Sequence, residues 1–291
     1  MKTFDTDFLR KLDRLVLQGS KVVQGGTGGN RRSKAKGSDI EFSDFREYTL
    51  GDDYRSIDWN AYARFERLFI KLYMEEREAN ITIFLDTSAS MDQGEPNKGT
   101  LAKKLAAIFA YMALVNYDRV GIASLQDASW SQLPYFSGKP GFTRALEFID
   151  ELPFGGETHL NQSIPAFVPL QGRKGISIVL SDFFDREGYK EAFEYLKFQQ
   201  QDIMAVQILS PEELDPQLSG ALRLIDSETL EAVEVEISPH TLNLYQNALH
   251  GFLKDFKETC SRLQAASLQV SSDISLDLLV FEKLQQAGMI R

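Results

Sequence analysis

The sequence predicts an α/β fold: a doubly wound, mostly parallel sheet flanked by helices. Three observations carry that prediction. Two short, nearly unbroken apolar runs rich in β-branched residues, Ile81–Leu85 and Ile176–Leu180, have the composition of strands buried on both faces. Such runs alternate with helix-length periodic segments from Ile81 to Leu209, the rhythm of consecutive βαβ units. Both runs lead directly into polar strand ends, Asp86 and Ser181-Asp182, where open parallel sheets place their ligands.

Composition permits this reading. The 291 residues are 43% hydrophobic and 25% charged, enough for one large domain or for one domain with a smaller companion. The formal net charge of −10 sets long-range repulsion against any polyanion, so nucleic acid is not an expected partner. The single cysteine, Cys260, excludes an intramolecular disulfide and a cysteine-based zinc site. Its place inside a helical segment marks it as packed rather than reactive. The acidic stretch Met1 to Asp7 lacks the apolar segment of a secretory signal, and no run of about 18 apolar residues offers a membrane span. No membrane contact is expected, and the expected location is the cytoplasm.

Taken in order, Phe4 to Leu17 spaces Phe8, Leu12, Leu15 and Val16 as one face of a helix. Gly25–Gly29 and the basic cluster Arg31, Arg32, Lys34 and Lys36 read as loop. From Ser38 to Tyr73 aromatic residues are dense, short strands and turns are expected, and Leu68–Tyr73 is a strand candidate. After the Ile81 strand come a helix over Thr100–Tyr117, a strand over Val120–Leu125 and an edge segment near Leu133–Phe136. Helices over Phe142–Leu152 and Leu160–Val168 precede the Ile176 strand. A helix over Tyr189–Gln199 leads to a strand over Ile203–Leu209. The rhythm then breaks: Leu222–Asp226 and Ala232–Ile237 resemble the arms of a hairpin. A long helix over Pro239–Ala265, a strand over Leu268–Val270 and a last helix over Ile274–Gln286 close the chain. The expected division is a part comprising residues 1–77, with helix, basic loop and β-rich segment, and an α/β domain of residues 78–291 with the hairpin inserted at about 213–237. The hairpin is expected to pack on the aromatic N-terminal segment.

The strand ends carry the chemistry. Asp86, Ser88 and Ser90 follow the first buried strand, Asp182 ends the second, and Thr158 sits in a glycine-rich loop between them. All three loops are expected on one edge of the sheet. Oxygen donors of this kind suit a hard cation, Mg²⁺ first, with Mn²⁺ or Ca²⁺ as alternatives. With few anionic ligands the cation keeps residual positive charge, and an open position on it attracts a carboxylate from another molecule.

The ordered set Asp86-x-Ser88-x-Ser90, Thr158 and Asp182 resembles the metal-ion-dependent adhesion site of von Willebrand factor A domains. Upstream, Glu41–Tyr48, Gly51–Trp59 and Ala63-Arg64 resemble the signature of a bacterial family of unknown function that pairs this segment with a von Willebrand factor A-like domain. Members of that family are commonly encoded beside MoxR-type AAA+ ATPases. The resemblance implies a von Willebrand factor A-like domain and a non-enzymatic adaptor, working with such an ATPase in assembly or maturation of protein complexes. Within Gly51–Trp59, Arg55 is expected to pair with Asp52, Asp53 or Asp58 while Trp59 buries its ring; a docking surface is the alternative.

Other readings have less to rest on. Gly25–Arg32 departs from the phosphate-loop pattern and follows no buried strand. No Gly-x-Ser-x-Gly elbow occurs. His159, beside Thr158, is read as a rim residue, and His240 and His250 as surface residues of the long helix. Two rivals to the adhesion reading stay open. One is a Mg²⁺-dependent phosphoryl-transfer enzyme of the haloacid-dehalogenase type with Asp86 as nucleophile, although Ser88 stands where its acid would be. The other is a metal-free scaffold.

Overall fold

The computed structural model describes residues 3–17, 41–49, 52–74, 79–125, 131–168 and 174–290. Gly25–Gly29 and the basic cluster lie outside them. In chain order the elements are helix α1 (Thr6–Leu17), strand β1 (Glu41–Glu47), helix α2 (Trp59–Phe65), strands β2 (Phe69–Met74) and β3 (Asn80–Leu85), helix α3 (Lys98–Val115), strands β4 (Arg119–Ser124) and β5 (Gln132–Phe136), and helices α4 (Gly141–Glu151) and α5 (Leu160–Phe167). Strand β6 (Gly175–Ser181), helix α6 (Lys190–Phe198), strand β7 (Gln201–Leu209), the single turn α7 (Pro211–Leu214), strands β8 (Gly220–Ile225) and β9 (Ala232–Ile237), helix α8 (Pro239–Arg262) and strand β10 (Ala266–Ser271) follow. A helical run over residues 276–286, with a π turn at Leu279–Lys283, closes the order.

The expected sheet is present. Its six strands run in the order β10-β7-β6-β3-β4-β5, all parallel except β5, which pairs antiparallel with β4. The chain steps outward from β3 to β4 and β5, then crosses to β6 on the other side of β3 and steps outward again. Strand order therefore reverses between β3 and β6, which opens a crevice beyond their carboxyl ends.

Period-2 side-chain alternation builds two cores, one on each face. Ile81, Ile83 and Leu85 of β3, with Ile176, Ile178 and Leu180 of β6, face the layer formed by α1, α3 and α4; Phe84 and Val179 face the layer formed by α5, α6 and α8. Helix α3 is buried on nearly every side because it lies between the sheet and other helices, and its repeated alanines allow that close approach. Gly99 shows the tightness: a Cβ there would fall 2.2 Å from the Phe154 ring.

Phe4, just ahead of α1, and Phe8 and Leu12 within it lie in the same core, and Tyr111 donates its hydroxyl to Asp13 at 2.6 Å. The residues up to Gly25 accordingly group with residues 79–291 in one compact unit, while residues 26–78 form another. That departs from the expected grouping of the first helix with the aromatic segment, because its apolar stripe is completed by α3. The hairpin β8–β9 is a two-stranded sheet of its own within the larger unit.

In the smaller unit β1 and β2 pair antiparallel with a bulge between Phe42 and Asp44. The acidic residues after them do local work. Asp52 takes Arg46 at 2.8 Å along with the Thr49 amide and hydroxyl; the Arg46 guanidinium first, then Thr49, holds its carboxyl below the usual range. Asp53 accepts from the Arg55 amide, and Asp58 caps α2 through the amides of Asn60 and Ala61. The expectation of an Arg55 ion pair and a buried Trp59 is corrected: Asp52 pairs with Arg46, Asp53 and Asp58 are used as caps, and Trp59 is 62% exposed. Helix α8 stops at Arg262 rather than Ala265 because Gln264 adopts φ 55° and the Ala265 amide turns back to the Cys260 carbonyl at 2.8 Å. The last helical run starts at Leu276, where Ser275 caps it.

Cys260 is fully buried beside Phe256, and burial pushes its thiol up to about 12. The thiolate is the reactive form, so native protein near neutral pH should give no reaction with a disulfide reagent, and denaturant should release one equivalent. A full thiol titre without denaturant would show that the α8 core opens readily.

Candidate metal centre

Backbone contacts at the switch point bring the three loops together. The Asp86 amide, just beyond β3, donates to the Leu180 carbonyl of β6 at 2.9 Å. The next turn closes when the Ser88 amide donates to Asp86 Oδ1 at 3.0 Å. The glycine-rich loop is laced to this turn by Gly155 N–H to Thr87 O at 2.9 Å and Ala89 N–H to Gly156 O at 3.1 Å. Gly156 adopts φ 73°, a conformation glycine reaches without strain, and it lets the loop bend back so that Thr158 faces Asp86.

Asp182 is held differently. The residue after it, Phe183, adopts φ 62°, costly for a bulky side chain by about 1–2 kcal/mol. Its ring repays that strain by packing among Tyr189, Phe193 and Phe256, with centroids 4.8–5.8 Å away; full burial of such a ring contributes about 1.5–3 kcal/mol. The aromatic cluster thus turns the chain sharply after β6 and aims Asp182 into the crevice.

The five residues singled out from sequence meet there. Thr158 Oγ1 lies 3.2 and 3.3 Å from the two Asp86 carboxylate oxygens. Ser88 Oγ and Ser90 Oγ are 2.9 Å apart, and Ser90 donates to Asp182 Oδ2 at 3.1 Å. Asp86, Ser88, Thr158 and Asp182 are buried; Ser90 is half-buried. His159 is half-buried, with Nε2 3.9 Å from Glu157.

Four further residues join the cluster; sequence reading noted Ser181 only as part of a polar strand end and missed the other three. Ser181 donates to Asp86 Oδ2 at 2.5 Å; it directly precedes Asp182, and the period of 2 that puts apolar residues inward concealed its role. Lys98, the first residue of α3, is fully buried, with its Nζ 2.7 Å from Asp182 Oδ2 and 2.5 Å from Glu213. Burial opposes its charge, but the two carboxylates outweigh that and raise its affinity for the proton. Glu213 is also the capping-box residue of α7. Glu228, at the tip of the hairpin, lies 3.5 Å from Thr158 Oγ1 and close to the Ser90 and Ser88 hydroxyls. Only the hydrophilic turn Asp226–Thr229 hinted at it.

Counting protons decides what the arrangement suits. Each hydroxyl supplies one proton. Ser88, Ser90, Thr158 and Ser181 face the oxygens of Asp86, Asp182 and Glu228, and the two serines also face each other. The Ser88 and Phe184 amides and Lys98 add their protons on Asp86 and Asp182, so the shortfall is one of positive charge at Asp86 rather than of donors. Lys98 serves Asp182 and Glu213, and among the described residues no ion pair reaches Asp86. Burial first, and Asp182 beside it second, hold the Asp86 carboxyl well above the ordinary range. The donor set is one that a hard divalent cation fits, and Asp86 with the hydroxyls of Ser88, Ser90 and Thr158 would hold it. Both oxygens of Asp182 already accept from protein groups, Oδ1 from the Phe184 amide at 3.0 Å and Oδ2 from Ser90 and Lys98. The Asp86 oxygens also accept, but from uncharged groups, whereas the Lys98 ammonium offsets the Asp182 charge, so Asp182 is better suited to orienting its partners than to binding a cation directly.

Comparison with known proteins adds a family. The model of a family described as "Protein of unknown function DUF58" matches residues 44–250. The uncharacterized proteins Rv1480 of Mycobacterium tuberculosis and Mb1516 of Mycobacterium bovis are each 24% identical over 289 residues, covering 97% of this chain and 90% of theirs. Among solved structures, the conserved hypothetical protein BatB of Bacteroides thetaiotaomicron is 16% identical at a TM-score of 0.43, over 72% of this chain and 98% of its own. The SpRpn10 VWA domain is 13% identical at a TM-score of 0.38, over 69% and 92%.

The raised Asp86 gives a signed pH dependence. A carboxyl that binds its proton more tightly when folded than the ordinary value near ~3.9 contributes stability at low pH, and that contribution is lost as pH rises toward the raised value. In EDTA, Asp86→Asn should therefore raise the melting temperature near ~pH 8, by on the order of 1–3 kcal/mol of stability, and gain less near ~pH 5. Thermal melts of both proteins at the two pH values check this. An Asn variant less stable than the parent at the higher pH would show that Asp86 is already compensated.

Proposed function

The chain belongs to the DUF58 family, and from the site inside the matched span we propose that it is a non-enzymatic, metal-dependent protein-interaction module. The observation that carries this reading is the buried Asp86 carboxylate at the switch point: hydroxyls and an amide from three loops converge on it, and among the described residues no ion pair reaches it. Asp86, Ser88, Ser90 and Thr158 would hold Mg²⁺, with Mn²⁺ or Ca²⁺ as alternatives; Ser181 orients Asp86, and Lys98 orients Asp182. When bound, the cation supplies a Lewis-acidic position for an acidic side chain of a partner protein. Three of its four holders are neutral hydroxyls, so little of its charge is cancelled and a partner carboxylate finds a strong field. The hydroxyl of Ser88 occupies the place where a phosphoryl-transfer enzyme of the haloacid-dehalogenase type needs a carboxylic acid, which supports a binding role.

The partner class follows from the upstream resemblance: a MoxR-type AAA+ ATPase, with this chain acting as its adaptor toward client complexes that are assembled or matured. The cytoplasm, where such ATPases draw on ATP, is the proposed location. A second reading, a scaffold that works without metal, is favoured by one observation. The Lys98 ammonium already neutralises Asp182 and lowers the pull on any further cation.

Calorimetric titration of the whole chain with Mg²⁺ separates the two. The metal-dependent reading expects saturable heat, weakened at least about tenfold by Asp86→Ala and by Thr158→Ala. Capture of the ATPase from lysate should then fall with EDTA and with Asp86→Ala. Capture indifferent to both, with no Mg²⁺ heat, would leave the scaffold.

A further inference from the structure

The hairpin β8–β9 is poorly anchored for a piece of this domain. Most of its residues are exposed, including Ile225, Leu230 and Val233, so it contributes little apolar burial. Elements with so little buried area are those that detach at low free-energy cost. Its turn is nonetheless rigid. The Asp226 carboxylate accepts from the amides of Glu228 and Thr229, both at 2.9 Å, and the Asp226 amide donates to the Glu231 carbonyl at 2.8 Å. The turn is complete without the Glu228 side chain.

That side chain leaves the turn and enters the crevice. Its carboxylate is 3.5 Å from Thr158 Oγ1 and lies close to the Ser90 and Ser88 hydroxyls. These are three of the four groups assigned above to hold the cation. Glu228 is half-buried beside Asp182, a position that costs a carboxylate both desolvation and repulsion. A turn glutamate free to point into water would avoid both. Arg186, in the loop after Asp182, holds the outside of the turn, with Nη2 3.1 Å from Asp226, 3.2 Å from Thr229 Oγ1 and 3.6 Å from Glu231. Its side chain is 60% exposed, so these pairs are screened and weak, and they leave the latch reversible.

The geometry points to Glu228 as a built-in ligand of the site: a carboxylate of the chain itself that sits where a partner's acidic side chain would bind, so that the hairpin must lift before a partner can engage. This rests on the proposed carboxylate-binding role and adds a closed state to it. A partner that lifts the hairpin replaces one carboxylate by another, so the exchange is close to balanced electrostatically and is decided by the partner's remaining contacts. The closed state lowers apparent affinity by the fraction of time the site is open.

The test uses the full chain, Mg²⁺ and a fluorescein-labelled peptide with a single glutamate, followed by fluorescence anisotropy. A site closed nine-tenths of the time predicts about tenfold tighter peptide binding for Glu228→Ala, and a smaller gain for Arg186→Ala, which touches no cation-holding group. Hydrogen exchange should quicken in residues 220–237 in both variants, with or without metal. Unchanged or weaker peptide binding by Glu228→Ala, while Mg²⁺ heat persists and still depends on Asp86, would overturn the built-in ligand and leave the metal site standing. Absence of Mg²⁺ heat from parent and Glu228→Ala alike would overturn the underlying reading and this one with it. Hairpin exchange unaltered by Glu228→Ala would equally overturn it, since the side chain would then not seat the hairpin.

Discussion

Two carboxylates stand side by side in the dry crevice where β3 and β6 part, and the surrounding structure answers to that constraint. Removing an ionised group from water costs several kcal/mol even after relaxation. Each hydrogen bond to a charged group returns about 1.5–3 kcal/mol. Asp182 meets the cost with an ammonium, a hydroxyl and an amide. Among the described residues Asp86 has hydroxyls and one amide. The asymmetry locates the unmet charge at Asp86, and it is there that a cation is most strongly favoured. Lys98 belongs to the same balance. As the first residue of α3 its backbone is set by the Asn97 cap, so its ammonium reaches Asp182 from a fixed direction.

The apolar architecture keeps that polar centre in place. Period-2 alternation commits β3 and β6 to two cores, and the parallel register between them, Leu85 opposite Leu180, puts both strand ends at one level. The aromatic cluster under Phe183 then holds a strained backbone at the point where Asp182 turns inward. Repacking that cluster would move a charged group without touching the crevice, so part of the site's geometry is stored in a hydrophobic core several residues away.

The hairpin follows another rule. It interrupts the βαβ rhythm, contributes little to either core and sends one acidic side chain to the site. A rigid turn on a lightly held arm gives a ligand-like group a defined position without making that position permanent. Elements that move in binding are drawn from the weakly packed part of a fold, and the exposed strands of this hairpin meet that description.

The fold and the meeting of five polar residues were legible because their signals are local. Apolar runs of period 2 marked the strands, helical spacing marked the covering layers, and Asp86, Ser88, Ser90, Thr158 and Asp182 stand at strand ends and in a glycine-rich loop that such a fold brings to one edge. Trp59 misled because a tryptophan among charges resembles a local network from sequence, whereas Asp53 and Asp58 serve as caps, Asp52 pairs with Arg46, and the ring is left in solvent. Lys98, Glu213 and Glu228 were invisible for a different reason. A lysine opening a helix and a glutamate in a polar turn are ordinary surface residues by composition, and their roles arise from contacts across 84, 115 and 70 positions of sequence. The sequence by itself determined the alternation of strands and helices, and with it the edge where oxygen ligands collect, since periodicity acts between near neighbours. Only the tertiary structure decided which charges share that edge, because electrostatic pairing depends on distance through space and the chain's own order does not encode it locally.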